Sequence, residues 1–403
     1  MPVATYTRSE TAHRAGVPEA YVTQLVELGI LAPAPGDIFS GGDVRRIRLI
    51  EAIQQTGVPL DGLAKVLGSG GGSLRFMDDP TYERFSGLSD ITFAQLAARS
   101  GVPLELLLVM REAIGSAQPQ PDDLVREDEL GIVPYLQIQV EQGFNPTAIE
   151  RMLRVAGESM RRIAEQERDW WRTEVQEPLL AKGVSEGAIG DATVEFAARM
   201  TPLAADALET IHRAQQAHAW QTNIIESIEQ MVAGAGLYNK VERPPAMCFL
   251  DITGYTRLTH ERGDAAAAEL ADELARVVKR ASALRGGRAI KWLGDGVMFY
   301  FRDPGPGVLA ALEMVEGTSG AGLPPAHVGL HAGPVLYQEG DYYGQTVNIA
   351  SRIAEYARPG EVLVSDAVVA ASADDGTTFT EIGPVELKGV AGPMRLHSAH
   401  RIA

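Results

Sequence analysis

Between Gly234 and Pro245 the hydrophobic period of the chain changes, and this change constrains the fold more than any other feature. Before it, apolar residues recur at helical spacing. After it, short apolar runs alternate with helical stretches, the pattern of a sheet covered by helices. Ala246-Met-Cys-Phe-Leu-Asp251 reads as a buried strand ending in a carboxylate, and Ile252-Thr-Gly-Tyr-Thr256 as a loop opening into a helix at Thr259. A helix over 265–284, a hairpin over 289–301, a helix over 306–316, a strand over 327–333, a helix from Gly344 and a strand over 361–364 complete a βαββαβ order with additions.

The hairpin carries the first chemical signal. Ile290 and Trp292 begin an alternation that Val297, Phe299 and Phe301 resume, and Gly294-Asp295-Gly296 makes a tight turn. That turn exposes one carboxylate, while Lys291 lies on the first strand. A carboxylate fixed on a rigid turn suits a hard cation, and a strand lysine beside it can read a polar edge. Alone, Gly-Asp-Gly is more often only a turn.

The amino-terminal half repeats itself. Ala12-His-Arg-Ala-Gly16-Val-Pro18 makes a turn between helices, Tyr21, Val22, Leu25 and Leu28 give the next helix an apolar face, and Pro33, Pro35 and Gly36 mark a wing-like segment. Asp43 is expected to cap a helix through Ile47, Ile50 and Ile53, and Gly57-Val-Pro59 turns the chain into a short helix ending at Leu67. Ala97-Ala-Arg99-Ser-Gly101-Val-Pro103 restarts the order and Gly143-Phe-Asn-Pro146 closes it, at nearly the same internal pitch. A tandem duplication joined by a flexible Gly68-Ser-Gly-Gly-Gly-Ser73 stretch is the expectation. Beyond it, Asn145 and Pro146 start a long helix with Ile149, Met152, Leu153, Ala156, Met160 and Ile163 on one face, ended by Trp170-Trp171. Further helices are expected from Glu186 and over 202–233. Their apolar stripe, Leu208, Ile211, Ala214, Thr222, Ile225, Ile228 and Val232, suits pairing across a dimer as well as packing within the chain.

The unit over 8–67 resembles the winged-helix head of MerR-type regulators. Recognition of DNA needs basic residues at the reading helix, and 18–28 offers Glu19, Gln24 and Glu27 with none. The wing has Asp37-Ile-Phe39 where MerR-type wings carry an arginine, and Arg45, Arg46 and Arg48 cluster on the following helix. The 403 residues include 53 acidic and 36 basic side chains, a formal net charge of -17 that repels a phosphate backbone. DNA binding is therefore not expected. Segment 92–180 resembles the regulatory region of soluble actinobacterial adenylyl cyclases, a resemblance that implies control by pH or by a lipid or other small molecule. His212 and His218 lie on the last helix of this half, and histidine is the side-chain type suited to sensing pH near neutrality.

No run of eighteen apolar residues marks a transmembrane helix, and the start, Met-Pro-Val-Ala-Thr-Tyr-Thr-Arg, has no apolar signal core. The single cysteine, Cys248, allows no internal disulfide and fits a cytoplasmic protein; within its apolar run it reads as a buried strand thiol.

Four motifs of the carboxy-terminal half, in order, resemble the class III nucleotidyl cyclases: Phe249-Leu-Asp251-Ile-Thr-Gly254-Tyr-Thr256, Lys291-Trp-Leu-Gly294-Asp295-Gly296, Gly329-Leu-His-Ala-Gly333, and Asp341-Tyr-Tyr-Gly344-Gln-Thr-Val347-Asn348-Ile-Ala-Ser351-Arg352. Glu386-Leu-Lys388-Gly389 occupies a late family position. The resemblance implies that Asp251 and Asp295, with the Ile252 carbonyl, hold two divalent ions, Mg2+ or Mn2+. The amides of Thr253, Gly254, Tyr255 and Thr256 then meet the β- and γ-phosphates, and Lys388 the terminal phosphates. Lys291 and Asp341 read adenine, whose N1 accepts and whose 6-amino group donates. Asn348 positions the ribose and Arg352 meets charge on the α-phosphate at the transition state. ATP is thus the expected substrate, and a homodimer the expected assembly, with the metal aspartates from one subunit facing the other four residues from its partner.

The expected fold class is α+β: an all-α, winged-helix-like regulatory region and a ferredoxin-like βαββαβ domain. Expected boundaries are 1–73 for the MerR-like unit, 74–200 for a second winged-helix-like and helical regulatory domain, 201–239 for a linker or dimerisation helix, and 240–403 for the catalytic domain. The competing reading is a MerR-like DNA-binding regulator whose cyclase domain senses nucleotide without turnover.

Overall fold

The computed structural model describes residues 5–79, 82, 87–115, 119–237, 243–255, 260–261, 263–293, 296–372 and 376–402. They fall into two compact units, Met1–Glu226 and Ser227–Ala403. None of its helices is long and apolar enough to cross a membrane.

In the first unit, strand β1 (Thr5–Tyr6) pairs with β2 (Phe39–Ser40) around the helices Arg8–Ala15 and Glu19–Glu27, and the helices Gly41–Gln55 and Leu60–Gly68 follow. The order then returns. Strand β3 (Leu88–Thr92) pairs with β4 (Leu124–Arg126) around Phe93–Ser100 and Leu104–Ala113, and Val133–Glu141 and Pro146–Trp171 follow. Like residues enforce like boundaries: capping boxes Thr7/Glu10 and Thr92/Gln95 start the first helix of each set, and Gly16 (φ 76°) and Gly101 (φ 73°) end it in the left-handed conformation. The two ladders correct the all-α expectation, because each set closes on a short strand paired with the strand that precedes the set.

Other local expectations change for identifiable reasons. Ser40, not Asp43, caps its helix; Asp43 sits at the third helical position and accepts the Ser40 amide at 2.8 Å, completing a capping box. Arg45 donates to the Met77 carbonyl at 2.8 Å and Arg46 to the Leu74 carbonyl at 3.0 Å, with Arg46 also paired to Asp43 and Asp78. These arginines fasten the 74–78 segment. The glycine stretch expected to be a flexible joiner packs backbone to backbone: Ser73 donates its amide to the Gly187 carbonyl at 3.1 Å, and a Cβ at 187 would stand 2.0 Å from the Gly71 carbonyl oxygen. Asn145 does cap the long helix, accepting the Thr147 amide at 3.0 Å, and Trp171 stacks on Phe196 at 5.7 Å. The two helices expected on either side of Pro202 are one, Ile189–Gly234, with Pro202 inside it. An interior proline removes one backbone donor and crowds the preceding turn, yet the helix continues through it.

The second unit is built on a seven-stranded sheet in the order β12-β13-β11-β8-β5-β7-β6. Its strands are β5 (Ala246–Ile252), β6 (Gly287–Leu293), β7 (Gly296–Phe301), β8 (Ala326–Ala332), β11 (Val362–Ser365), β12 (Thr377–Val385) and β13 (Met394–Arg401). The four strands β8-β5-β7-β6 are antiparallel throughout, the ferredoxin-like arrangement expected from the βαββαβ order. On one face Cys248, Leu250, Val297, Phe299, Phe301, Val328 and Leu330 are buried with the helices Asp264–Leu284 and Pro304–Gly320. Burial pushes the Cys248 thiol far up, so it is an inert core side chain.

The opposite face carries Met247, Phe249, Asp251, Met298 and Tyr300, and against it pack Tyr342, Val347 and Ala350. A separate two-stranded ladder, β9 (Leu336–Gln338) with β10 (Asp341–Tyr343), leads directly into the helix Gln345–Tyr356 on this face. Glycine permits the close approach. A Cβ at Gly329 would stand 2.1 Å from the Ala354 amide nitrogen, and one at Gly333 2.7 Å from Thr346 Oγ1.

Candidate active site

Asp251 is the last but one residue of β5, directly opposite Gly296 on β7 and His327 on β8. Its Oδ1 accepts the Ile252 amide at 3.0 Å, which fixes the carboxylate at the strand end. A Cβ at position 296 would stand 3.4 Å from that Oδ1 and 3.0 Å from the Leu250 carbonyl oxygen, so glycine keeps the space beside the acid open. Asp251 is 46% exposed there. An acidic oxygen facing an open position, next to the Ile252 carbonyl, is a donor set that fits a hard divalent cation. Among the described residues no group of three or more metal-ligating side chains occurs. Asp295, the second expected ligand, lies outside the described residues, as does Thr256.

The loop expected to meet phosphate is partly committed elsewhere. Thr253 donates its amide to the Pro325 carbonyl at 3.0 Å, so that amide is not free to meet phosphate, a correction to the expectation for this loop. Gly254 (φ 80°) supplies the left-handed turn that carries the chain to Tyr255.

Lys291 and Asp341, fifty residues apart, come together: Lys291 Nζ donates to Asp341 Oδ2 at 2.9 Å, while Asp341 Oδ1 accepts the Tyr342 amide at 2.9 Å. A β-bulge aims the lysine. Ala289 lies opposite Phe299 but Lys291 opposite Met298, so Ile290 is the extra residue. The strict alternation expected for Ile290 and Trp292 therefore breaks, and Ile290 and Lys291 share the Met298 face, away from the Phe299 core. Asp251 lies on that same face of the sheet, opposite Gly296.

Asn348 and Arg352 stand one turn apart on the helix Gln345–Tyr356, with Asn348 exposed. The Glu355 carboxylate takes the Arg352 guanidinium at 2.5 and 2.6 Å and holds its pKa above the ordinary arginine value. Lys388 is exposed in the connection between β12 and β13, at the sheet edge opposite to β6 and Lys291. Direct contacts join Lys291 to Asp341, Arg352 to Glu355 and Asp251 to the Ile252 amide, while Lys388 follows Leu387, which is buried with Ile349 and Ile353 of the Asn348–Arg352 helix.

Residues 43–219 match the family described as the adenylate cyclase regulatory domain, and residues 237–400 match the adenylate and guanylate cyclase catalytic domain. The chain carries a class III cyclase catalytic domain behind a cyclase regulatory domain. The pH-sensitive adenylate cyclase of Mycobacterium tuberculosis (strain CDC 1551 / Oshkosh) is 28% identical to it over 381 residues, 91% of this chain and 90% of that one. An adenylate cyclase of Streptomyces coelicolor is 28% identical over 297 residues, 72% of this chain and 75% of that one. Among solved structures, the adenylyl cyclase CyaB from P. aeruginosa is 21% identical over 40% of this chain and 96% of that one, with a TM-score of 0.34.

Two features of the cyclase domain escaped the sequence reading. His327, only 12% exposed, places Nε2 3.7 Å from Asp251 Oδ2 and shares a hydrogen bond between Nδ1 and Thr253 Oγ1 at 3.3 Å. It backs the metal-type carboxylate, and only the pairing register of β5 with β8 reveals this. The other is Tyr342, 8% exposed, whose ring stacks on Tyr300 with centroids 4.6 Å apart and an interplanar angle of 10°. Burial pushes its hydroxyl up to about 12.

Proposed function

We propose that this cyclase converts ATP to 3′,5′-cyclic AMP and pyrophosphate at a site shared by two copies of the chain, and that its amino-terminal region controls the reaction. The observation that carries the choice of substrate is the Lys291–Asp341 pair, a donor and an acceptor 2.9 Å apart on one face of the sheet. Adenine presents the complement, an acceptor at N1 and a donor at its 6-amino group. Guanine presents a donor and an acceptor in the reverse order, which places like against like. The names of the curated relatives, adenylate cyclases, support the same substrate.

In the reaction the ribose 3′-oxygen bonds to the α-phosphorus while the bond from that phosphorus to the bridging oxygen breaks. The hydroxyl proton passes to solvent and pyrophosphate departs. Asp251, Asp295 and the Ile252 carbonyl would hold two divalent ions, Mg2+ or Mn2+, which supply charge neutralisation along the triphosphate and acidify the attacking hydroxyl. Asn348 orients the ribose and Arg352 meets the charge that grows on the α-phosphate oxygens. To do so Arg352 exchanges Glu355 for phosphate, and the pair is exposed enough that water lowers the cost of that exchange.

In the homodimer Asp251 and Asp295 of one copy face Lys291, Asp341, Asn348 and Arg352 of the other, the arrangement that the resemblance to class III cyclases implies. A small shift between such half-sites alters in-line geometry and hence rate, which gives the amino-terminal region its lever. The pH sensitivity in the name of the M. tuberculosis relative favours pH as the signal, with a lipid or small molecule as the second candidate. Cytoplasmic placement fits the lone buried thiol. The test is incubation of the full chain with ATP and Mn2+ or Mg2+ and detection of cyclic AMP. Folded dimer that forms none overturns the catalytic reading.

A further inference from the structure

We propose that Tyr342 determines base selectivity without touching the base, because its ring is what holds Asp341 in line with Lys291. The proposal rests on the reading of that pair as the adenine reader and adds the element that positions it.

Lys291 belongs to β6, at the edge of the seven-stranded sheet, whereas Asp341 belongs to β10, which is hydrogen-bonded only to β9 in a ladder of its own. No backbone ladder therefore sets the distance or angle between the two side chains. Packing sets it. Asp341 is followed by Tyr342, whose amide donates to Asp341 Oδ1 at 2.9 Å and whose ring lies nearly parallel on Tyr300 of β7. Tyr337, its partner across the ladder on β9, also meets the ring, with centroids 4.9 Å apart at 54°. Met298, directly opposite Lys291 on β7 and two residues before Tyr300, belongs to the same buried cluster as Tyr342. The strand that pairs with the lysine and the hairpin that bears the aspartate are thus joined ring to ring.

Stacked aromatic rings fix both separation and tilt, so their loss loosens a hydrogen-bonding pair that must present a donor and an acceptor in a set order. The Tyr342 hydroxyl has no part in this: its duty is the ring. A merely structural role would lower turnover of every nucleotide alike, while a positioning role lowers the correct base more than the incorrect one.

The experiment uses the full-length protein and compares Tyr342→Leu, Tyr342→Phe and Tyr337→Ala with wild type. For each, kcat/KM is measured with ATP and with GTP, and the two nucleotides compete for a bound fluorescent nucleotide analogue in a parallel binding assay. Tyr342→Leu is expected to lower the ATP-to-GTP ratio about tenfold, the equivalent of one weakened polar contact. Tyr342→Phe is expected to keep the ratio within about twofold, and Tyr337→Ala to shift it in the same direction by less. Tyr337 is 55% exposed, so its variant folds even if Tyr342→Leu does not. An ATP-to-GTP ratio that ignores both ring deletions overturns the proposal, and so does loss in Tyr342→Phe equal to that in Tyr342→Leu. A wild-type protein that turns over neither nucleotide defeats the cyclase reading instead, and the binding ratio then decides this one.

Discussion

Asp251 on β5 and Gly296 on β7 face each other directly, and the missing side chain of the glycine is what leaves the carboxylate open on one side. Gly296→Ala adds a methyl group 3.4 Å from Asp251 Oδ1 and 3.0 Å from the Leu250 carbonyl oxygen. Turnover should fall about tenfold, and half-maximal activation should need more Mn2+, because a displacement of a few tenths of an ångström suffices to spoil such geometry. Initial rates across a metal titration check this. An unchanged metal requirement removes Asp251 from the cation site.

If two chains share each site, defects on opposite sides of it should complement. Asp251→Ala and Arg352→Ala homodimers are each expected to be inactive, while a mixture regains about a quarter of wild-type activity, since half of randomly assorted dimers carry one intact site of two. Folded proteins that fail to complement would place the whole site in one chain.

The hairpin of β6 and β7 should separate two duties by mutation. Lys291→Glu is expected to change the ratio of ATP to GTP turnover while leaving the metal dependence as it was. Asp295→Ala is expected to abolish turnover with either base, a loss of at least about a hundredfold, because the ions it would hold are the ones that neutralise the triphosphate. Product assays with both nucleotides distinguish the two.

Gly329→Ala tests what places Asn348 and Arg352. Its Cβ would stand 2.1 Å from the Ala354 amide nitrogen and 2.7 Å from the Ala354 Cα, both backbone atoms that move only with their helix. A destabilisation of about 2–3 kcal/mol is expected by denaturant unfolding, together with a lower kcat. Gly320→Ala, with nothing within 4 Å of its Cβ, is the neutral comparison.

These features differ in how far the sequence discloses them. Short-range order was legible: the βαββαβ pattern, the capping residue Asn145, and the turn glycines Gly16 and Gly101 each follow from local chemistry. Joining Lys291 to Asp341 required resemblance to a family, because no local pattern links residues fifty positions apart. What stayed hidden depends on register. The bulge at Ile290, the position of His327 opposite Asp251 and the use of the Thr253 amide by Pro325 are all facts about which strand meets which, and at what offset. Pro202 misled for the opposite reason, since a local rule about proline gave way to a helix that continues through it.

His331 gives a pH dependence of known sign. It is half-buried beside Ser365, with Nδ1 2.7 Å from Ser365 Oγ, and partial burial holds its pKa below the ordinary 6.5. The unfolded chain therefore binds a proton that the folded chain refuses. Its stability contribution is complete above that ordinary value and is lost as pH falls from it toward the depressed folded value. Melting curves at pH 7.5 and 5.5 should show a smaller acid-induced loss in His331→Gln than in wild type. Equal losses would assign acid sensitivity to other groups.

The bulge at Ile290 ties the aim of Lys291 to the local bend of its strand. Deleting Ile290 would leave Ala289 opposite Phe299 and Lys291 opposite Met298, changing no other side chain in the hairpin, but it would remove the kink and extra twist that a bulge imposes. Many substitutions along β6 leave that bend intact, whereas a single-codon deletion does not. A chain one residue shorter here would keep every motif residue and present the lysine from a straighter strand.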